Sequence, residues 1–180
     1  MAIWLERLAI GVASLVLTIG LIALLSGFFA GRDQAGVSGS AAGPGKQLRD
    51  LGHGHLRLGQ LRPPYETDPP TSGAHVPVPI AKDETPLTND QLLQALEVGD
   101  VVILYGSPAP PPGLRGLASS LAPFTPELAA AGQAVVLGRW PGITGITAVA
   151  WTRLLHVSSA RDPLLTQFVR AWLGRGAPGR

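Results

Sequence analysis

The stretch Val101-Val102-Ile103-Leu104-Tyr105-Gly106 decides the fold. Five consecutive apolar residues, opening with three β-branched ones, are too few for a helix and show no polar alternation, so this strand is expected to be buried on both faces. Gly106 and the prolines after it stop the run. Upstream, Thr88 or Asn89 can cap a short helix through Glu97, because Leu92, Leu93 and Leu96 recur at helical spacing and Gly99 suits the position past its end. Downstream, Leu114, Leu117, Leu121 and Phe124 sketch a helix, Gln133 to Gly138 a second strand, and Ile146 to Val157 a third strand interrupted by Arg153 and His156. Asp162-Pro163 places a cap and a first-turn proline ahead of Leu164, Leu165, Phe168, Trp172 and Leu173, the apolar stripe of a last helix.

This order predicts an α+β domain: a small mixed sheet of strand-helix-strand-strand-helix, with the helices on one face. A right-handed crossover would join the first two strands in parallel, and a hairpin through Pro141-Gly142 and Gly145 would return the third. A thioredoxin-like half is the alternative topology. Before the sheet, residues 48–78 carry Pro63, Pro64, Pro69, Pro70 and Pro77 and are expected to run as extended chain needing outside hydrogen-bond partners.

Composition narrows the function classes. Hydrophobic residues make up 46% and charged ones 14%, which excludes a wholly disordered chain. The absence of cysteine removes disulfides, thiolate metal sites and a thiol nucleophile, so any metal must sit on His, Asp or Glu. The formal charge of +2 rests on arginines scattered singly, without the basic stripe that nucleic acid demands, and no nucleic-acid partner is expected.

No residue from Leu8 to Gly31 is charged. As a helix rising ~1.5 Å per residue this segment crosses a hydrocarbon core of ~30 Å. Trp4, Phe28 and Phe29 stand where interfacial aromatics sit, and Phe28 occupies a position where a signal-peptidase site wants a small residue. The segment therefore reads as a retained single-pass anchor in the cell membrane, residues 8–31, with the lipid bilayer as its partner and the C-terminal domain outside the cytoplasm. Residues 32–47 read as a flexible Gly/Ser/Ala linker, 48–173 as the globular domain and 174–180 as a disordered tail.

The histidines are His53, His55, His75 and His156. In extended chain the side-chain period is two, so His53 and His55 point the same way and could present two imidazoles to one ion, with His75 as the third. Exposed loop histidines are the competing reading, and His156 reads as a satisfied sheet residue. Ser72 stands near His75, yet the sequence supplies neither a nucleophile elbow nor an acidic orienter, so no catalytic residue is assigned.

Several of these residues form a recognisable pattern: His55, Gly59, Tyr65, Pro69-Pro70-Thr71-Ser72-Gly73-Ala74-His75, Leu96-Glu97-Val98-Gly99 leading into Val101 to Tyr105, and Ala148-Val149-Ala150-Trp151. Over about residues 50 to 173 the chain resembles the bacterial domain-of-unknown-function family DUF3105, whose members are often secreted or membrane-anchored. The resemblance implies a His-Ser-Leu-Glu-His-Gly segment at the short helix, with two histidines beside a carboxylate. Here that stretch reads Gln94-Ala95-Leu96-Glu97-Val98-Gly99, so both helix histidines are missing and Glu97 remains. If the family site is a metal centre, this chain has lost two of its ligands.

The resulting expectation is a non-enzymatic interaction module or accessory subunit serving another membrane or envelope protein, without a cofactor, with Tyr65, Ser72, His75 and Glu97 as binding residues. The alternative is a copper- or zinc-binding or redox-associated protein using His53, His55 and His75, with Glu97 nearby.

Overall fold

The computed structural model describes residues 43–179. The expected transmembrane segment, 8–31, lies outside the described residues, as does most of the expected linker; among the described residues no helix is long and apolar enough to cross a membrane. In chain order the elements are β1 (Lys46–Gln47), β2 (Thr85–Pro86), α1 (Asn89–Val98), β3 (Val101–Tyr105), α2 (Leu114–Leu121), α3 (Pro126–Ala130), β4 (Val135–Arg139), β5 (Ile146–Ala150), β6 (Arg153–Val157) and α4 (Pro163–Trp172).

Local chemistry sets the helix ends. The Thr88 hydroxyl accepts the Gln91 N–H while the Gln91 side chain accepts the Thr88 N–H, a reciprocal cap that satisfies two otherwise orphaned donors. Gly99, at φ 118°, closes α1 by returning its N–H to the carbonyls of Ala95 and Leu96. Asp162 caps α4 through the Leu164 N–H, with Pro163 in the first turn.

The sheet is mixed and has six strands in the order β1-β6-β5-β3-β4-β2. β3 pairs parallel with β4, and β2 parallel with β4; β3/β5, β5/β6 and β1/β6 are antiparallel. β3 lies at the centre with all five residues buried.

The α+β class and the mixed sheet hold, but three finer expectations are corrected. The helices lie on both faces. Val101, Ile103 and Tyr105 pack with Leu114, Ala118, Leu165 and Phe168 of α2 and α4, whereas Val102 and Leu104 pack with Leu92, Leu93 and Leu96 of α1 and Ala129 of α3. A strand apolar on both faces needs a layer on each. Second, the run from Ile146 to Val157 is two strands, because the chain reverses at Trp151-Thr152, with Thr152 at φ 58°. Third, β5 does not form a hairpin with β4: it crosses to the far side of β3, giving the register Ile103↔Ala148.

The ends differ from expectation as well. Pro44 accepts the Trp172 indole N–H, and Lys46–Gln47 joins the sheet edge beside β6. Residues 174–177, read as disordered tail, are stitched to the end of α1: Gly174 N–H bonds to Gly99 O and Ala177 N–H to Glu97 O. The physical reason is that α1 leaves carbonyls free at its C-terminus, which this passing backbone satisfies.

Candidate metal centre

Three separate segments converge on the end of α1. Asp50 starts the first: its Oδ1 accepts the Gly52 N–H and its Oδ2 the Trp151 indole N–H, which ties residues 50–52 to the turn between β5 and β6. From there the chain runs alongside residues 73–75. Gly73 N–H bonds to Gly52 O, His75 N–H to Gly54 O and Leu56 N–H to His75 O, a short parallel ladder that sets His55 beside His75. This is how the proline-rich segment finds partners for its backbone. Because the side-chain period is two, His53 and His55 both face the same way, toward Glu97.

Glu97 stands in the last turn of α1 with its carboxylate almost wholly buried. Its Oε2 lies 2.9 Å from His55 Nε2 and 3.1 Å from His75 Nε2, and its Oε1 lies 3.7 Å from His53 Nδ1. One ligand atom from each of His55, His75 and Glu97 falls within 4.8 Å of the others. The rings of His55 and His75 meet edge-on at 5.4 Å, and His53 lies edge-on to Trp151 at 6.2 Å.

The orientation of the His75 ring is the informative detail. Its Nδ1 is 3.0 Å from Gly73 O, an atom that only accepts, so Nδ1 carries a proton and Nε2 is the ring nitrogen turned toward Glu97. That nitrogen is buried without a hydrogen-bond partner, although Glu97 Oε2 is near. With Nδ1 held by the backbone, Nε2 is the nitrogen left to meet a cation beside the Glu97 carboxylate. A backbone carbonyl holding the remote ring N–H is also the usual way a protein fixes a metal-binding imidazole. In a tetrahedral shell with bonds of ~2.0–2.1 Å the ligand atoms stand ~3.3 Å apart, so small shifts suffice.

Gly176 and Ala177, with Glu97 and Val98, line a cleft of about 400 Å³ beside the carboxylate. A Cβ on Gly176 would fall 2.0 Å from Glu97 O, so only glycine lets the strap pass this close to the helix end.

The other expected binding residues are placed apart from this cluster. The Tyr65 hydroxyl donates to Ala74 O, and Gly73 packs so near the Tyr65 ring that a Cβ would lie 3.0 Å from it. The Ser72 hydroxyl donates to Arg49 O and accepts the Leu51 N–H. Both side chains fasten the loop that carries His75. His156 Nδ1 is 2.8 Å from Thr147 Oγ1 across the β5/β6 ladder, as a sheet residue would be. Sequence reasoning missed Asp50 as the anchor of the first histidine segment; the signal was Asp50-x-Gly52, the pattern of an Asx turn. It also missed Asp100, which is buried and accepts the Ala134 N–H.

Val98 and Gln94 stand where the resemblance implies histidines. Neither belongs to the convergent cluster, which is supplied by the strand-like segments around His55 and His75 together with Glu97. The donor set is thus two imidazoles and one carboxylate, with His53 adjacent, a combination suited to zinc, copper or iron.

No curated protein and no solved structure matches the chain. A family model described as "Protein of unknown function (DUF3105)" matches residues 60–179, a span that includes Tyr65, Ser72, His75 and Glu97 and begins after His53 and His55. The chain belongs to the DUF3105 family.

Proposed function

We propose that this chain is a transition-metal-binding module, for zinc or copper, in which His55, His75 and Glu97 are the ligands and His53 is the fourth group that closes the shell. The observation that carries the reading is the convergence of His55 Nε2 and the buried His75 Nε2 on Glu97 Oε2, with His75 Nδ1 held by Gly73 O. Imidazole with carboxylate favours these metals over calcium or magnesium, which ask for more oxygen ligands. In this reading residues 8–31 hold the module at a membrane and the partner is a protein of the envelope that gives or receives the metal. The module need not perform catalysis for this role.

The test is the metal content of the full chain purified without a histidine tag, measured by mass spectrometry after loading with zinc or copper and desalting. About one ion per chain is expected. His75→Ala and Glu97→Gln each abolish retention, whereas His156→Ala, away from the cluster, leaves it intact. Absence of retained metal in the unmodified chain, or retention that survives His75→Ala, overturns the proposal.

A further inference from the structure

A second cleft, of about 460 Å³, lies between residues 77–81, the C-terminal half of α1 and α3, and has Pro77, Pro79, Ile80, Gln94, Asp100 and Ala129 among its lining residues. It is within the ~300–1,000 Å³ of small-molecule sites. Most of its lining is apolar, and prolines contribute no N–H. Two side chains break the pattern. Gln94 Oε1 and Asp100 Oδ2 are both closed off from solvent and have no hydrogen-bond partner among the described residues.

Asp100 is the more telling of the two. It follows Gly99 directly, so the tight end of α1 forces it inward, where it is 1% exposed. Its Oδ1 holds the Ala134 N–H at 2.8 Å, which steadies the entry to β4 and leaves Oδ2 with nothing to accept from. Burial pushes its carboxyl up to about 7, and the Ala134 N–H offsets only part of the cost. An apolar pocket lined by unpartnered polar groups, one of them a perturbed acid, is where a binding site is first sought.

We propose that this cleft binds a small organic cation, an apolar or aromatic body ending in a primary ammonium, whose N–H donors are taken by Asp100 Oδ2 and Gln94 Oε1. The unpartnered polar atoms are acceptors, Asp100 repels an anion when ionised, and a purely apolar guest would bury both oxygens unpaired. An ammonium group supplies donors to both and the charge that Asp100 lacks. Asp100 sets the sign of the ligand charge even if the Gln94 amide is turned over. Proline rings and alanine methyls form the surface against which the body packs. The proposal does not rest on the metal reading.

The probe is phenethylammonium, titrated at pH 8 into the full chain and followed by the backbone amide resonances of Ala95, Ala129 and Ala130, with 2-phenylethanol and 3-phenylpropionate as neutral and anionic isosteres. Saturable shifts at these amides are expected with the amine. The alcohol should bind at least about tenfold more weakly and the carboxylate not at all. Asp100→Asn keeps an oxygen for Ala134 N–H and should weaken the amine at least about tenfold. Ala130→Phe, on the exposed rim, should block binding while leaving Asp100 in place, and it decides the matter if Asp100→Asn does not fold. Equal affinity for amine and alcohol, absence of saturable shifts at these amides, or undiminished binding by the rim variant overturns the proposal.

Discussion

The two faces of the sheet are filled by similar side chains and differ in what covers them. On the first, β3, β4 and β5 meet α2 and α4, and Tyr105, Leu114, Leu165 and Phe168 close a core whose buried charge is Arg153, stacked 4.3 Å over the Trp172 ring. On the second, α1 and α3 share the cover with the proline-rich chain, which contributes Tyr65, Ile80 and Leu87. That face buries or borders His75, Glu97 and Asp100. The difference follows from backbone chemistry. Helices satisfy their own N–H and C=O groups and can seal a dry surface, whereas extended chain interrupted by prolines must find partners elsewhere and carries polar groups inward as it does so. Chemistry therefore gathers where regular structure gives out.

The comparison can be broken most forcefully at Phe168. Phe168→Ala on the first face should cost about 3–5 kcal/mol in urea denaturation while the folded fraction retains metal as the parent does. Loss of metal from the still-folded variant would show that the faces are not separate in function. Asp100 on the second face gives the next effect. Unfolded, its carboxyl ionises near 3.8; folded, burial raises it to about 7. Between these values the folded chain keeps a proton that the unfolded chain has released. Its contribution to stability is therefore present below pH 3.8 and is lost as pH rises through 7. The fall is at most about 1.4 kcal/mol per pH unit within that window. Denaturation at pH 5 and pH 8 should show the fall in the parent and a much smaller one in Asp100→Asn; matching profiles would mean that Asp100 is not buried as a lone acid. The smallest effect sharpens the picture at α1. Thr88→Ala should cost about 1 kcal/mol and leave metal retention unchanged, because the cap and Glu97 stand at opposite ends of the helix.

Part of this was legible in the sequence because it is local. Thr88 with Gln91, Gly99, and Asp162-Pro163 announce helix ends through chemistry confined to a few neighbours. The common direction of His53 and His55 follows from strand period alone. The second cover of β3 was implicit in its unbroken apolar run, but which helices supplied it was not. The break at Thr152 was hidden because an apolar run gives no warning of a residue at φ 58°. Asp100, one residue beyond a helix-ending glycine, reads like any turn acid until its surroundings are known.

By itself, then, the sequence determined the main helices, the central strand and the extended proline-rich segment, and that imidazole and carboxylate are the available ligands in a chain without cysteine; β1, β2, α3 and the split of residues 146–157 into two strands it did not. Only the tertiary structure decided that His55, His75 and Glu97 meet, since they lie up to 42 positions apart and are joined by backbone bonds between segments that carry no mutual signal. Spacing along a chain fixes direction over a few residues; convergence over tens of residues depends on how the whole backbone satisfies its hydrogen bonds.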